Sequence, residues 1–238
     1  KPIMFYTFTR LLPAVLLILI PAAVTLSIGA EQHADSLNLI ARPVPGQSND
    51  ALLKKVRQVL DEYYLRPLNT RDDPPWSVLH WSIAYGVDAK IRVGHPAGKQ
   101  VTAIGWLCSN YPLRGKQLIA CSEDGLFLPI GPGVQGHDAQ FLAMLAQSRV
   151  PANYLLQVSE QELTIADLVE HEKQTCTTGN EQTFKLIGIG HYEGTQACWQ
   201  NKSHERWSVE RLLQEELQQP ISGRQATCGG LHRLFAFH

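Results

Sequence analysis

The sequence predicts an all-α protein with one small β-hairpin, built from helical hairpins and set behind an N-terminal export segment. Apolar residues recur at helical spacing through most of 49–238, a good strand–turn–strand pattern occurs only at 116–130, and residues 1–30 contain no Asp or Glu. The chain has 238 residues, 44% hydrophobic and 18% charged. That is enough apolar material for a core, and it excludes wholesale disorder. A formal charge of −1 leaves no electrostatic footprint for nucleic acid.

The first segment reads as 1–30. Lys1 and Arg10 are its only charges, Leu11 to Ala30 is almost wholly apolar, and Ser27, Gly29 and Ala30 supply small residues at its end. This is the pattern of a secretory signal peptide, cleaved after Ala30. An uncleaved membrane anchor is the competing reading, since about 20 apolar residues span a bilayer; Pro13 and Pro21 weaken it by interrupting the helix. Either way the protein is expected to be secreted, periplasmic or in the cell envelope, touching membrane only through this segment if it is uncleaved. Residues 31–48, with two prolines, one glycine and little apolar periodicity, are expected to form a linker, and 49–238 the helical-repeat domain.

Leu52, Val56, Val59, Leu60 and Tyr63 share one helical face, with Ser48 or Asn49 as cap and Pro67 as stop. Asp73-Pro74-Pro75 opens a helix over 76–86, capped by Asp73. A helix is expected from Gln100 to Ser109, made ambiguous by Val101, Thr102 and Ile104. Lys116 to Cys121 and Leu126 to Ile130 then flank a turn at Asp124-Gly125. Further helices are expected over 136–147, 164–173, 183–192, 208–219 and 225–237. Thr164 with Asp167 reads as a capping box, and Ser208 as a cap. Two kinds of helix alternate. Those at 164–173 and 208–219 are charged and amphipathic; those at 76–86, 136–147, 183–192 and 225–237 are apolar nearly all round and must be buried. The second kind recurs about every 40 to 60 residues, the range of helical-hairpin repeats.

Trp76-Ser-Val-Leu-His-Trp81, Gly133-Val-Gln-Gly-His137 and Thr227-Cys-Gly-Gly-Leu-His232 each stand near the start of an apolar helix. On these segments the chain resembles the α/α-toroid superfamily of terpene cyclases and protein prenyltransferase β subunits. The resemblance implies an inner ring of buried helices inside an outer ring of amphipathic ones. It implies about six hairpins where this chain offers about four, as if incomplete at the C-terminus. The catalytic motifs of those families are not matched: Thr70-Arg-Asp-Asp73 lacks the first Asp of the cyclase acid motif, and no Asp lies two positions before a cysteine.

Of nine histidines, His80, His137, His191 and His232 lie on the apolar helices. Converging imidazoles suit acid–base chemistry or a metal. The catalytic candidates are His137, Asp138, His191 and Glu193. The candidate metal ligands are His80, His137, His232 and Cys228, with zinc as the metal. The competing reading makes each histidine a hydrogen-bonded core residue. Five cysteines leave at least one unpaired, and Cys176 with Cys198 bracket a helix whose flanks they could tie. The glycine-rich run Gly131–Gly136 lacks the Lys and Ser/Thr of a phosphate loop, so a nucleotide site is not expected. Asn201-Lys-Ser203 is a glycosylation sequon. Five tryptophans offer either core filling or stacking on sugar rings. The expected function is therefore an exported helical-repeat protein serving binding or structure. The alternative is an exported enzyme with a histidine-lined cavity, acting on a carbohydrate or another polar polymer.

Overall fold

The computed structural model describes residues 50–122, 125–220 and 230–237; the segments expected as export signal, 1–30, and linker, 31–48, lie outside them, as does Asp124 of the expected turn. The chain divides into two units, Lys1–Leu53 and Lys54–His238, and the core belongs to the second. The described helices are α1 (Asp50–Tyr64), α2 (Pro75–Tyr85), α3 (Ala103–Cys108), α4 (Gln140–Gln147), α5 (Ile165–Gln174), α6 (Thr183–Glu193), α7 (Val209–Leu217) and α8 (Leu231–Ala236). Four antiparallel hairpins separate them: β1 (Lys90–Arg92) with β2 (Gln100–Thr102), β3 (Ala120–Ser122) with β4 (Gly125–Phe127), β5 (Leu155–Val158) with β6 (Gln161–Thr164), and β7 (Cys198–Gln200) with β8 (Arg206–Ser208). The protein is mostly helical. No described helix is long and apolar enough to cross a membrane.

Three of the hairpins were not expected, and they reveal the repeat. In each, the second strand runs straight into a helix through a hydroxyl residue at the N-cap: Thr102 before α3, Thr164 before α5, Ser208 before α7. The first helical N–H is bonded in the same way each time, to the carbonyl just before the first strand. Ala103 N–H donates to Ala89 O, Ile165 N–H to Tyr154 O, and Val209 N–H to Ala197 O. The unit is thus buried helix, hairpin, covering helix. Strands of three or four residues escape a periodicity reading because they are too short to alternate.

The buried helices pack in series, α2 on α4, α4 on α6 and α6 on α8, while α5 and α7 lie against α6. Seven residues of α4, Gln140 to Ala146, are buried. The α4–α6 approach is close because Gly188 has no side chain. A Cβ there would lie 2.7 Å from Leu142 Cγ, inside a core where Leu142 is fully buried.

Several expectations are corrected. The expected start of a helix at 136 moves to Gln140, since Ala139 sits at φ 57°, a left-handed conformation that a helix cannot continue through. The segment expected as a helix from Gln100 begins as strand β2 and turns helical only at Ala103. Asp73 does not cap α2. Its carboxylate accepts from the Asn69 backbone N–H and amide instead, and Pro74 occupies the N-cap position. In α8 only Arg233 is buried, while Leu231, Leu234 and Phe235 are exposed, so this helix is not wholly enclosed. Cys176 and Cys198 are both free thiols; Cys176 is buried with its Sγ against Glu172 O. Asn201 of the sequon is buried, donating to Cys176 O and accepting from Ser203 and Glu205 N–H, so it presents no acceptor amide for a glycan.

Candidate functional site

Four chain segments bring polar groups together where the buried helices begin. The first is the start of α2. Trp76 is 46% exposed and its ring lies 4.0 Å from that of His80. His80 Nδ1 sits 2.7 Å from Trp76 O, and a carbonyl only accepts, so Nδ1 carries the proton. The second is the 131–139 loop, held by two buried glutamines. Gln135 donates to Leu128 O and accepts from Phe141 N–H; Gln140 reaches back to accept from Gly136 N–H at 2.6 Å. A Cβ on Gly136 would lie 3.9 Å from Trp76 Nε1, an ordinary contact distance, so the loop runs beside the indole.

This loop delivers His137 to the third segment, the start of α6. His137 Nδ1–H donates to Glu181 Oε2 at 2.8 Å, and both side chains are largely covered, 10% and 23% exposed. Phe184 flanks the His137 ring at 4.8 Å. The fourth segment is the start of α8, where His232 stands edge-on to His137 at 5.2 Å and packs on Phe184 at 5.0 Å. Burial lowers the proton affinity of His232. The nearby His137 and His80 lower it further, against the opposing charge of Glu181. Its Nδ1 is buried without a hydrogen-bond partner among the described residues.

Three of the four singled-out histidines, His80, His137 and His232, therefore share one neighbourhood. The fourth does not. His191 lies near the far end of α6, about 12 Å along an eleven-residue helix, against Tyr192. Glu193 is there too, paired with Lys173 at 3.5 Å. Asp138 follows His137 in sequence but turns to Lys185, whose Nζ is 3.3 Å away. The carboxylate that meets His137 is Glu181, which sequence reasoning missed; its only signal was an acid two residues before an apolar helix.

Beside the site runs a buried polar network. Lys185, 1% exposed, donates to Glu172 Oε2 at 2.6 Å, to Glu172 O and to Thr175 Oγ1. Burial alone would lower the Lys185 proton affinity, but Glu172 and Asp138 reverse this and raise it, so the ammonium stays charged. Glu216 is fully buried and accepts from Gln182 N–H, Thr183 Oγ1–H and Arg233 Nε–H, which ties α6, α7 and α8 together. Burial pushes the thiols of Cys108 and Cys176 up to about 12, which leaves them poor nucleophiles. Among the described residues no group of three His, Cys, Asp or Glu side chains is arranged to hold a metal ion, and Cys228 lies outside them. No protein-family model, curated protein or solved structure matches the chain.

Proposed function

We propose that this is an exported protein of α/α-toroid-like design, secreted, periplasmic or held in the cell envelope, whose histidine-lined site binds a carbohydrate or another polar polymer. The reading rests on one observation above all: an exposed indole, Trp76, stands on His80 beside the His137–Glu181 pair and His232. An exposed aromatic face takes the apolar face of a sugar ring, while imidazoles and a carboxylate beside it take the hydroxyls. The repeat of buried helix, hairpin and covering helix supports the toroid-like design, and the apolar, acid-free segment 1–30 supports export.

The test is calorimetric titration of the full chain with neutral and uronic-acid oligosaccharides. Binding to either class is expected, with affinity falling at least about fivefold in Trp76→Ala, since a stacked ring contributes about 1 kcal/mol or more. Absence of binding to every oligosaccharide tried sinks the proposal.

A second reading is favoured by the 2.8 Å His137–Glu181 hydrogen bond. A carboxylate on Nδ1 orients the ring and fixes its tautomer, the arrangement used in acid–base catalysis. Under this reading the protein cleaves the polymer it binds, and His137→Ala lowers turnover about 10²–10⁴-fold with binding retained. The zinc-dependent form of this reading uses His80, His137, His232 and Cys228. It requires near-stoichiometric zinc in protein purified without chelator, lost in His137→Ala.

A further inference from the structure

The first hairpin of the repeat and the turn that follows α3 carry charge of one sign. Residues 89–122 hold five basic side chains, Lys90, Arg92, Lys99, Arg114 and Lys116, and no acid. Lys99, Arg114 and Lys116 are exposed, and Lys90 and Arg92 are half-buried. Among the described residues none of the five makes an ion pair. The acids of the preceding segment do not offset them. Asp72 pairs with Arg71 at 2.9 Å, Asp73 accepts from Asn69, and Asp88 stands exposed before β1. Arg71, and to a lesser extent Arg114, favour the ionised Asp72 carboxylate and lower its proton affinity.

Backbone hydrogen bonds lay the segments that carry these cations side by side. Arg114 N–H donates to Thr70 O, Thr70 N–H to Arg92 O, Arg71 N–H to Gly94 O, and Val93 N–H to Lys99 O. The order is therefore 113–116, 69–71, 92–94 and 98–99. The Lys116 end of this strip adjoins the histidine site. Lys116 Nζ donates to Pro132 O, and a Cβ on Gly133 would lie 3.1 Å from that Nζ and 3.4 Å from Pro74 Cβ. Pro74 is two residues before Trp76, and Gly133 is four before His137. The ammonium thus stands where the start of α2 meets the 131–139 loop, and the other cations lead away from it.

Taking the Trp76 site as the polymer site proposed above, we infer that its polymer is an anionic polysaccharide, whose acidic groups lie over Lys116 and Arg114 and continue toward Arg92 and Lys99. A uronic-acid chain repeats a carboxylate along a row of rings. One ring can stack on the exposed Trp76 face while the carboxylates of its neighbours meet guanidinium and ammonium groups. Exposed charges of this kind act mainly through attraction that salt screens.

Calorimetric titration of the full chain with a uronic-acid oligosaccharide and a neutral one of equal length tests this. The uronate is expected to bind at least about tenfold more tightly, with the gap shrinking between about 50 mM and about 200 mM salt. Arg114→Gln with Lys99→Gln removes two exposed charges whose side chains make no hydrogen bond among the described residues. Circular dichroism should be unchanged, uronate affinity should fall by up to about fivefold per charge, and neutral affinity should stay as it was. Trp76→Ala should weaken both ligands. Equal affinity for the two ligands, or a gap that survives salt and the double substitution, overturns the inference and leaves the Trp76 site standing. Uronate binding that Trp76→Ala does not weaken overturns it as well, since charge alone would then hold the polymer. So does tighter binding of phosphatidylglycerol vesicles or of a single-stranded oligonucleotide, which would make a lipid surface or a nucleic acid the partner. Binding of neither oligosaccharide removes the polymer reading itself and this inference with it.

Discussion

His137 and Glu181 are forty-four residues apart and meet at 2.8 Å because the 131–139 loop and the start of α6 reach the same place. Of the four histidines that the sequence places on apolar helices, His80, His137 and His232 come together and His191 does not. Which carboxylate joins them was not readable from the sequence: Asp138, the neighbour in sequence, points to Lys185. Adjacent residues on a turn face different directions, and only the packed helices select one. The same burial sets a pH dependence. It holds the imidazoles of His232 and His171 below their usual proton affinity, with Lys185 adding to the effect on His171. Between the folded value and the unfolded value near about 6.5, the unfolded chain binds more protons, so stability rises with pH. These two imidazoles should therefore make the melting temperature fall as pH drops from about 7.5 to about 5, opposed by Glu172, whose carboxyl is pushed up by burial. His171→Gln should flatten that slope, and His232→Gln should do so separately. Unchanged slopes in both would mean that the two imidazoles are protonated alike in the folded and unfolded chain.

The elements show the repeat most clearly at their caps. Thr164 accepts from Asp167 N–H while the Asp167 carboxylate accepts from Thr164 N–H, the capping box expected from the sequence; Ser208 accepts from Arg211 N–H. Thr102 occupies the equivalent position without a side-chain capping bond. Thr164→Ala and Ser208→Ala are therefore each expected to cost about 0.5–2 kcal/mol in chemical denaturation, and Thr102→Ala clearly less. Equal losses at all three would mean that these hydroxyls act through something other than capping. Caps were legible because they depend on residues three apart. The hairpins leading into them were not, because a three-residue strand is defined by its partner, as Trp199 is by Trp207 in β7 and β8.

Across the whole molecule, buried charge sits where the helices join. Lys185 with Glu172 links α6 to α5, and Arg233 with Glu216 links α8 to α7. Both acids are almost fully buried. Removing one partner strands the other in a medium that cannot solvate it. Lys185→Ala should then cost about 3–5 kcal/mol, and Lys185→Met with Glu172→Met together should cost less than Lys185→Ala alone. If the double substitution is the more damaging, the pair contributes more attraction than its desolvation costs. Helical content, the alternation of apolar and charged helices and two of the caps were settled by local spacing, because a helix buries or exposes a face according to residues three and four apart. The order of packing, the half-open state of α8, the His137–Glu181 pair and the buried ions were decided only in three dimensions. Each depends on which side chains, distant along the chain, are left without water once the helices close upon one another, and no local pattern encodes that.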